Sequence, residues 1–205
     1  MYLDIQAGQK PWRDVYKLCI GFINPRPIAL VSTVSADGLR NLAPFSFYNM
    51  VSGNPPVVLF CPTFRRTGGS KDTLMNIKAT GEFVIATVSA AIALPMNRCA
   101  AELPTGQSEF EFSGLTPVPA SKVKPALVRE SPVNMECRLR QIVTTGEGPG
   151  GGNVVFGDIL AIHLADEILG TDGLVDPHKL STVGRLGGAW YSNVTEPYEM
   201  HIPEV

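Results

Sequence analysis

Residues 25–38 read Pro25-Arg-Pro-Ile-Ala-Leu-Val-Ser-Thr-Val-Ser-Ala-Asp-Gly38. A Pro-Arg-Pro turn leads into a run with β-branched residues from Ile28 to Ser35, which ends at Ala36-Asp37-Gly38. Asp-Gly between extended segments is a hairpin signal, because glycine accepts positive φ without a steric cost. The partner strand runs from Leu39 to Tyr48. Pro44 inside it predicts an edge strand or a bulge, since proline has no N–H to give to a ladder.

Downstream, Asn54-Pro55-Pro56 breaks the chain before a strand over Val57 to Cys61. Asp72 is expected to cap a short helix in which Leu74, Ile77 and Lys78 follow helical spacing, with Gly81 as its stop. A strand over Phe83 to Val88 follows, then a helix capped by Ser89 and running to about Glu102, with Pro95 in its first turns or at a kink. Prolines recur from Leu103 to Pro132 and periodicity is poor, which predicts a long surface connection with one or two short elements. Val133, Met135, Cys137 and Leu139 alternate with Asn134, Glu136, Arg138 and Arg140, the pattern of a strand with one wet face. Gly146 to Gly152 reads as a hairpin loop, and Val154 to Leu164 as a strand apolar on nearly both faces. Such a strand needs two covers, core on one side and a helix or a second subunit on the other. Strands come first, short helices are inserted and strands return without regular β-α alternation. The expected class is mainly β with short inserted helices, a barrel or a sandwich.

The 205 residues suffice for one domain over 1–205 and do not demand two. With 20 Gly and 17 Pro, turns and short strands are favoured over long helices. A formal net charge of -2 supplies no positive field for phosphodiester backbones, so nucleic acid is not an expected partner. Met1 to Lys10 has no basic segment followed by an apolar core, and no stretch approaches the roughly 20 apolar residues of a bilayer span. A soluble, cytoplasmic protein without a membrane partner is expected. Cys19, Cys61, Cys99 and Cys137 stand singly, with neither a CxxC pair nor a close histidine, which points to free thiols and to no metal site.

Gly146-Glu-Gly148-Pro-Gly150-Gly151 formally matches GxGxxG, but a strand follows it and Pro149 removes a donor from any phosphate cradle. GxxxxGK[ST], HExxH and GxSxG are absent, so hydrolysis by side chains alone has few candidates. His163 is either a core histidine satisfied by one hydrogen bond or a ligand-facing one. Arg65-Arg-Thr-Gly-Gly-Ser-Lys71-Asp-Thr73 gathers cations, hydroxyls and backbone N–H groups just before a helix start. That mixture suits a phosphate monoester, although a solvated basic loop has the same composition. Asn41-Leu-Ala-Pro-Phe-Ser-Phe-Tyr-Asn49 interleaves small polar groups with aromatics around a proline. A flavin ring needs flat apolar contact plus hydrogen bonds, and an aromatic edge strand in a core reads the same way.

Several motifs together give a resemblance: Pro25-Arg-Pro-Ile-Ala-Leu-Val-Ser-Thr33, Asn41-Leu-Ala-Pro-Phe-Ser-Phe47, Asn54-Pro-Pro56, Lys71-Asp-Thr73, Gly81-Glu-Phe-Val84, and Val183-Gly-Arg-Leu-Gly-Gly188 with Tyr191. From about Pro25 to Tyr191 the chain resembles the flavin reductase-like, FMN-binding split-barrel family, also described as the flavoprotein oxygenase-associated domain family, which includes flavoredoxin. The resemblance implies an FMN-binding split β-barrel and a homodimer with the flavin near the subunit interface. It implies Ser32, Thr33, Lys71 and Thr73 at the phosphate end, and Asn41, Ala43, Phe45, Ser46 and Phe47 along the ring and ribityl chain, with Arg26 nearby. His163, Arg185 and Tyr191 are further implied flavin contacts. No catalytic side chain is named, since a flavin reductase takes its hydride from NADH or NADPH onto the flavin and serves an oxygenase or another electron acceptor. A flavoredoxin-like FMN electron carrier, or a module that holds flavin or haem without turnover, fits the same residues. The Arg-rich stretch Thr63 to Ser70 departs from the family pattern and is open to a second anionic ligand such as a nicotinamide dinucleotide.

Overall fold

The computed structural model describes residues 2–65, 67–104 and 106–203. Seven antiparallel strands form one sheet in the order β2-β1-β5-β8-β9-β4-β3. They are β1 (Ala29–Val34), β2 (Arg40–Phe45), β3 (Tyr48–Gly53), β4 (Pro56–Phe60), β5 (Glu82–Thr87), β8 (Val133–Thr144) and β9 (Asn153–Leu164). The sheet curls round an interior of Ala29, Val31, Phe45, Phe60, Phe83 and Ile85, plugged by Leu74 and Ile77 of helix α2 (Asp72–Thr80). This is a split β-barrel, with β2 and β3 as its edges.

A second core lies on the outer face of the same strands. There Leu30, Leu42, Ala86 and Val88 pack beneath α3 (Ala93–Arg98) and α4 (Glu109–Ser113). Side chains alternate along a strand, so consecutive residues of β1 enter different cores, and five of its six residues are buried. Pro44 lies in edge strand β2, as its missing N–H requires. The free edge of β2 is not bare, because the Glu109 carboxylate accepts the Leu42 N–H at 2.9 Å. Burial pushes the Glu109 pKa up, an effect that this hydrogen bond opposes.

Several expectations change. The strand proposed over Leu39 to Tyr48 is two, β2 and the start of β3, separated by a corner at Ser46 and Phe47. Asp72 is the first residue of α2 and not its cap; Lys71 holds the cap position and no side chain caps the helix. Gly81 does end it, at φ 71, with its N–H on the Ile77 carbonyl. The helix expected from Ser89 to Glu102 is a 3-10 turn (Ala90–Ile92) followed by α3, which stops at Arg98 with Pro95 in its first turn. Residues 103–132 are more than a surface connection. Phe110, Leu115, Ala126 and Val128 are buried in the outer core, carried by α4 and the short strands β6 (Pro117–Val118) and β7 (Leu127–Val128). Their core contacts come singly between turns, which leaves no periodicity to read. The face of β8 expected to be wet is dry at Asn134 and Glu136, because residues 121–123 fold over it. Helix α1 (Trp12–Phe22), beginning after Pro11, was not foreseen.

The hairpin of β8 and β9 turns through the glycine loop, where Thr144 pairs with Asn153. A Cβ built on Gly150, at φ 85, would meet the Trp12 ring at 2.7 Å, so this loop seats α1. The end of β9 is open on the face opposite His163, where Ile162 and Leu164 are 53% and 44% exposed. Gly157 lets β9 pass the buried Phe83 ring, since a Cβ there would lie 2.3 Å from Phe83 Cζ. Gly157→Ala is therefore expected to cost about 1–3 kcal/mol through overpacking, read as a lower denaturant midpoint with an unchanged slope.

Candidate functional site

The start of α2 faces the pair β1 and β2. Thr33 and Asn41 are register partners, and both point toward the first turns of the helix. Asn41 Nδ2 donates to Thr73 Oγ1 at 3.0 Å, and Asn76 Nδ2 donates to Thr33 Oγ1 at 3.0 Å. All four side chains are buried. Both threonine oxygens thus accept from amides, which leaves each O–H free to donate outward.

Lys71 holds the cap position at the same helix start, with its Nζ 5.3 Å from the centre of the Phe45 ring. Burial lowers its pKa; the Glu102 carboxylate raises it and Arg65 lowers it further. No carboxylate lies within ion-pair distance of Lys71 among the described residues. A half-dehydrated ammonium without an ion-pair partner, at a helix N-terminus, has the chemistry to receive an anion.

Thr33, Asn41, Lys71 and Thr73 are thus brought together, and Asn76 joins them. Sequence reasoning missed Asn76, although its i+3 spacing from Thr73 on one helix was available. Ser32 is not brought to them. It pairs across the sheet with Leu42 and Val84 of the outer cores, and its buried Oγ has no hydrogen-bond partner. One residue along a strand is the other face of the sheet.

The ring strand is graded from core to surface. Phe45 belongs to the barrel interior, its ring 5.2 Å from that of Phe60, while Ala43 packs against the same cluster. Phe47 is 36% exposed and meets the edge of Tyr16, a residue of α1 that sequence reasoning did not flag. Ser46 lies within 3.4 Å of Arg26 Nε.

Arg26 is committed elsewhere. Its guanidinium donates to the carbonyls of Ile20 (2.9 Å), Ile23 (2.6 Å) and Leu186 (3.0 Å). It therefore satisfies carbonyls at the C-terminal end of α1, which helices leave unpaired, and ties them to the C-terminal segment. Burial lowers its pKa, Tyr16 raises it and Arg185 lowers it. Arg185 stacks 4.4 Å from the centre of the Tyr191 ring and donates to the Tyr191 hydroxyl and the Gly188 carbonyl. Tyr191 in turn donates to Asn97 Oδ1 at 3.1 Å, so the hairpin of β10 (Val183–Arg185) and β11 (Tyr191–Asn193) is pinned to α3.

His163 stands apart from the Lys71 cluster. Its Nε2 is 2.6 Å from Glu136 Oε1, on the outer face of the sheet. Glu136 is fully buried and also accepts the backbone N–H groups of Ser121, Lys122 and Val123. Burial alone would raise its pKa; the His163 bond and the three backbone donors together bring it below the usual carboxylate value. In the Arg-rich stretch, Arg65 is paired with Asp72 at 2.8 Å, and Arg66 lies outside the described residues. No cluster of three or more metal-ligating side chains occurs among the described residues, and none of their helices is long and apolar enough to cross a membrane.

A family model described as the flavin reductase like domain matches residues 22–182, and the chain belongs to that family. An uncharacterized protein of Aquifex aeolicus is 40% identical over 177 residues, covering 86% of this chain and 88% of that one. Among solved structures, nitrilotriacetate monooxygenase component B from Bacillus cereus superposes with a TM-score of 0.90 at 30% identity, covering 98% of this chain and 99% of the other. The 2-nitrobenzoate 2-nitroreductase of Pseudomonas fluorescens gives 0.86 at 28% identity, with 99% and 96% covered. The split barrel is thus a flavin reductase-like one, and its cofactor class is flavin.

The lowered pKa of Glu136 carries a sign. Its stabilising contribution is complete above the unfolded carboxylate pKa, about 4.3, and is lost as pH falls through the lower folded value. Urea unfolding of wild type and Glu136→Gln between about pH 5 and pH 3 should show the wild type losing more stability than the variant.

Proposed function

We propose that this chain, one domain from end to end, is an FMN-dependent oxidoreductase. It takes hydride from NADH or NADPH and delivers reduced flavin or electrons to an oxygenase or another acceptor. The observation that supports this reading most is the half-buried Lys71 ammonium, which has no ion-pair partner among the described residues and stands at the helix start where Asn41 and Asn76 hold the Thr73 and Thr33 hydroxyls, an arrangement that fits a phosphate monoester. The similarity to a monooxygenase component B supports an oxygenase as the partner. The exposed Ile162 and Leu164 on β9 support a homodimer in which a second copy supplies the missing cover.

Bound FMN would supply two-electron and one-electron chemistry that the side chains here lack. Lys71 and the start of α2 would hold the phosphate. The threonine hydroxyls, held by Asn41 and Asn76, would donate to it without first reorganising. Ala43, Ser46 and Phe47 offer the ring one graded surface, apolar toward the barrel and polar at the corner. Phe45 keeps Lys71 over its face and out of bulk water.

Purified protein is expected to be yellow, or to become so with FMN, and to bleach when NADH or NADPH is added. Stable yellow protein that neither nucleotide bleaches would make it a carrier, and protein that never takes up FMN would overturn the proposal. Lys71→Ala should weaken FMN retention roughly tenfold or more, the loss of a charge-assisted contact, while riboflavin retention changes little. Equal losses for the two ligands would remove Lys71 from the phosphate.

A further inference from the structure

Between the C-terminal end of α1 and the turn joining β10 to β11 lies a groove of about 450 Å³, lined by Lys17, Gly21, Asn24, Leu186, Gly187, Gly188 and Trp190. Its walls are unlike one another. One is the indole of Trp190, 76% exposed, whose backbone is fixed by reciprocal hydrogen bonds with the turn, Leu186 N–H to the Trp190 carbonyl and Trp190 N–H to the Gly187 carbonyl. Another is bare main chain: a Cβ built on Gly187 would sit 3.2 Å from the Gly21 Cα, so helix and turn meet there without side chains and leave a flat floor. The third is Lys17, whose side chain is 75% exposed and whose ion pair with Asp14 is long, at 3.7 Å. An exposed pair of that length holds an ammonium weakly, so the cation is available to another anion. No acidic residue lines the groove.

We infer that this groove binds a planar aromatic molecule carrying an anionic group, the ring stacked on Trp190 and the anion met by Lys17. The volume suits one or two fused rings with a substituent. The position gives the site a role. Leu186 accepts a hydrogen bond from Arg26, and Arg26 reaches Ser46 at the corner of the ring strand, so the groove and the flavin surface share one connecting side chain. A ligand in the groove therefore acts on the flavin surface through Arg26, whose hold on Leu186 it flanks. That role rests on the proposed function; the binding itself does not.

The ligand chemistry has two sources, a nucleotide or an aromatic acid. Equilibrium dialysis of the purified protein at low salt against nicotinamide mononucleotide, 2-naphthoate and the neutral 2-naphthalenemethanol separates them. At least one anion is expected to bind clearly more tightly than the neutral ring, and which anion binds identifies the source. Trp190→Leu should weaken that anion about tenfold, as loss of a stacking face does. Lys17→Gln, on an exposed helix face, should weaken it about fivefold and leave the neutral ring unchanged. Binding of neither anion, or anion binding indifferent to both substitutions, overturns the inference. So does conversion of a dimer to a monomer by Trp190→Leu without any ligand effect, since the face then belongs to a second copy. A protein that fails to retain FMN would defeat the proposed function and leave this titration intact.

Discussion

Leu30 and Val31 are neighbours in the chain, both fully buried, and belong to two different cores. That double burial of β1 is the constraint under which the rest of the molecule is arranged. A strand covered on both faces needs a barrel interior on one side and a second layer on the other, and this chain provides both. Helix α2 plugs the interior face, while α3, α4 and the irregular residues after them close the outer one. Thr33, two positions beyond Val31 and on the same interior side, is thereby delivered to the first turns of α2. Ser32 is delivered to the other layer.

Two ionisable groups, Glu136 fully buried and Lys71 half-buried, show what the fold does with charge. Glu136 is surrounded by donors, three from the backbone and one from His163, and it fastens residues 121–123 over the sheet. Lys71 is dehydrated and receives no such compensation. A buried charge held by several donors is part of the architecture, whereas a half-buried one without an ion-pair partner keeps its donors free. Arg26 is tied in the same architectural way, with its guanidinium donating to three carbonyls.

Residues 183–193 are tied to the start of the chain and to α3. Arg26 and Arg185 are bridged through their backbones, the Arg26 side chain holds Leu186, and Arg185 with Tyr191 holds the following hairpin against Asn97. These two arginines, which the family resemblance implies as flavin contacts, bring residues 183–193 and the end of α1 to the corner of the ring strand. The surface formed there, with Phe47, Tyr16 and the groove beside Trp190, combines segments from opposite ends of the sequence.

The sequence by itself determined β1, β4, β5, β8 and β9, the hairpin at Asp37-Gly38, the edge position of the Pro44 strand, the stop at Gly81 and the family. Each depends on local chemistry: a φ angle only glycine adopts cheaply, a missing N–H, an alternation of period two. It also collected Thr33, Asn41, Lys71 and Thr73, because the family motifs contain them. Only the tertiary structure decided which face of the sheet each residue occupies, and so separated Ser32 from Thr33 and His163 from Lys71. It alone showed that Glu136, on a strand face that alternation marks as wet, is fully buried. Burial and pairing depend on segments dozens of residues away, and no local pattern records which of them will arrive.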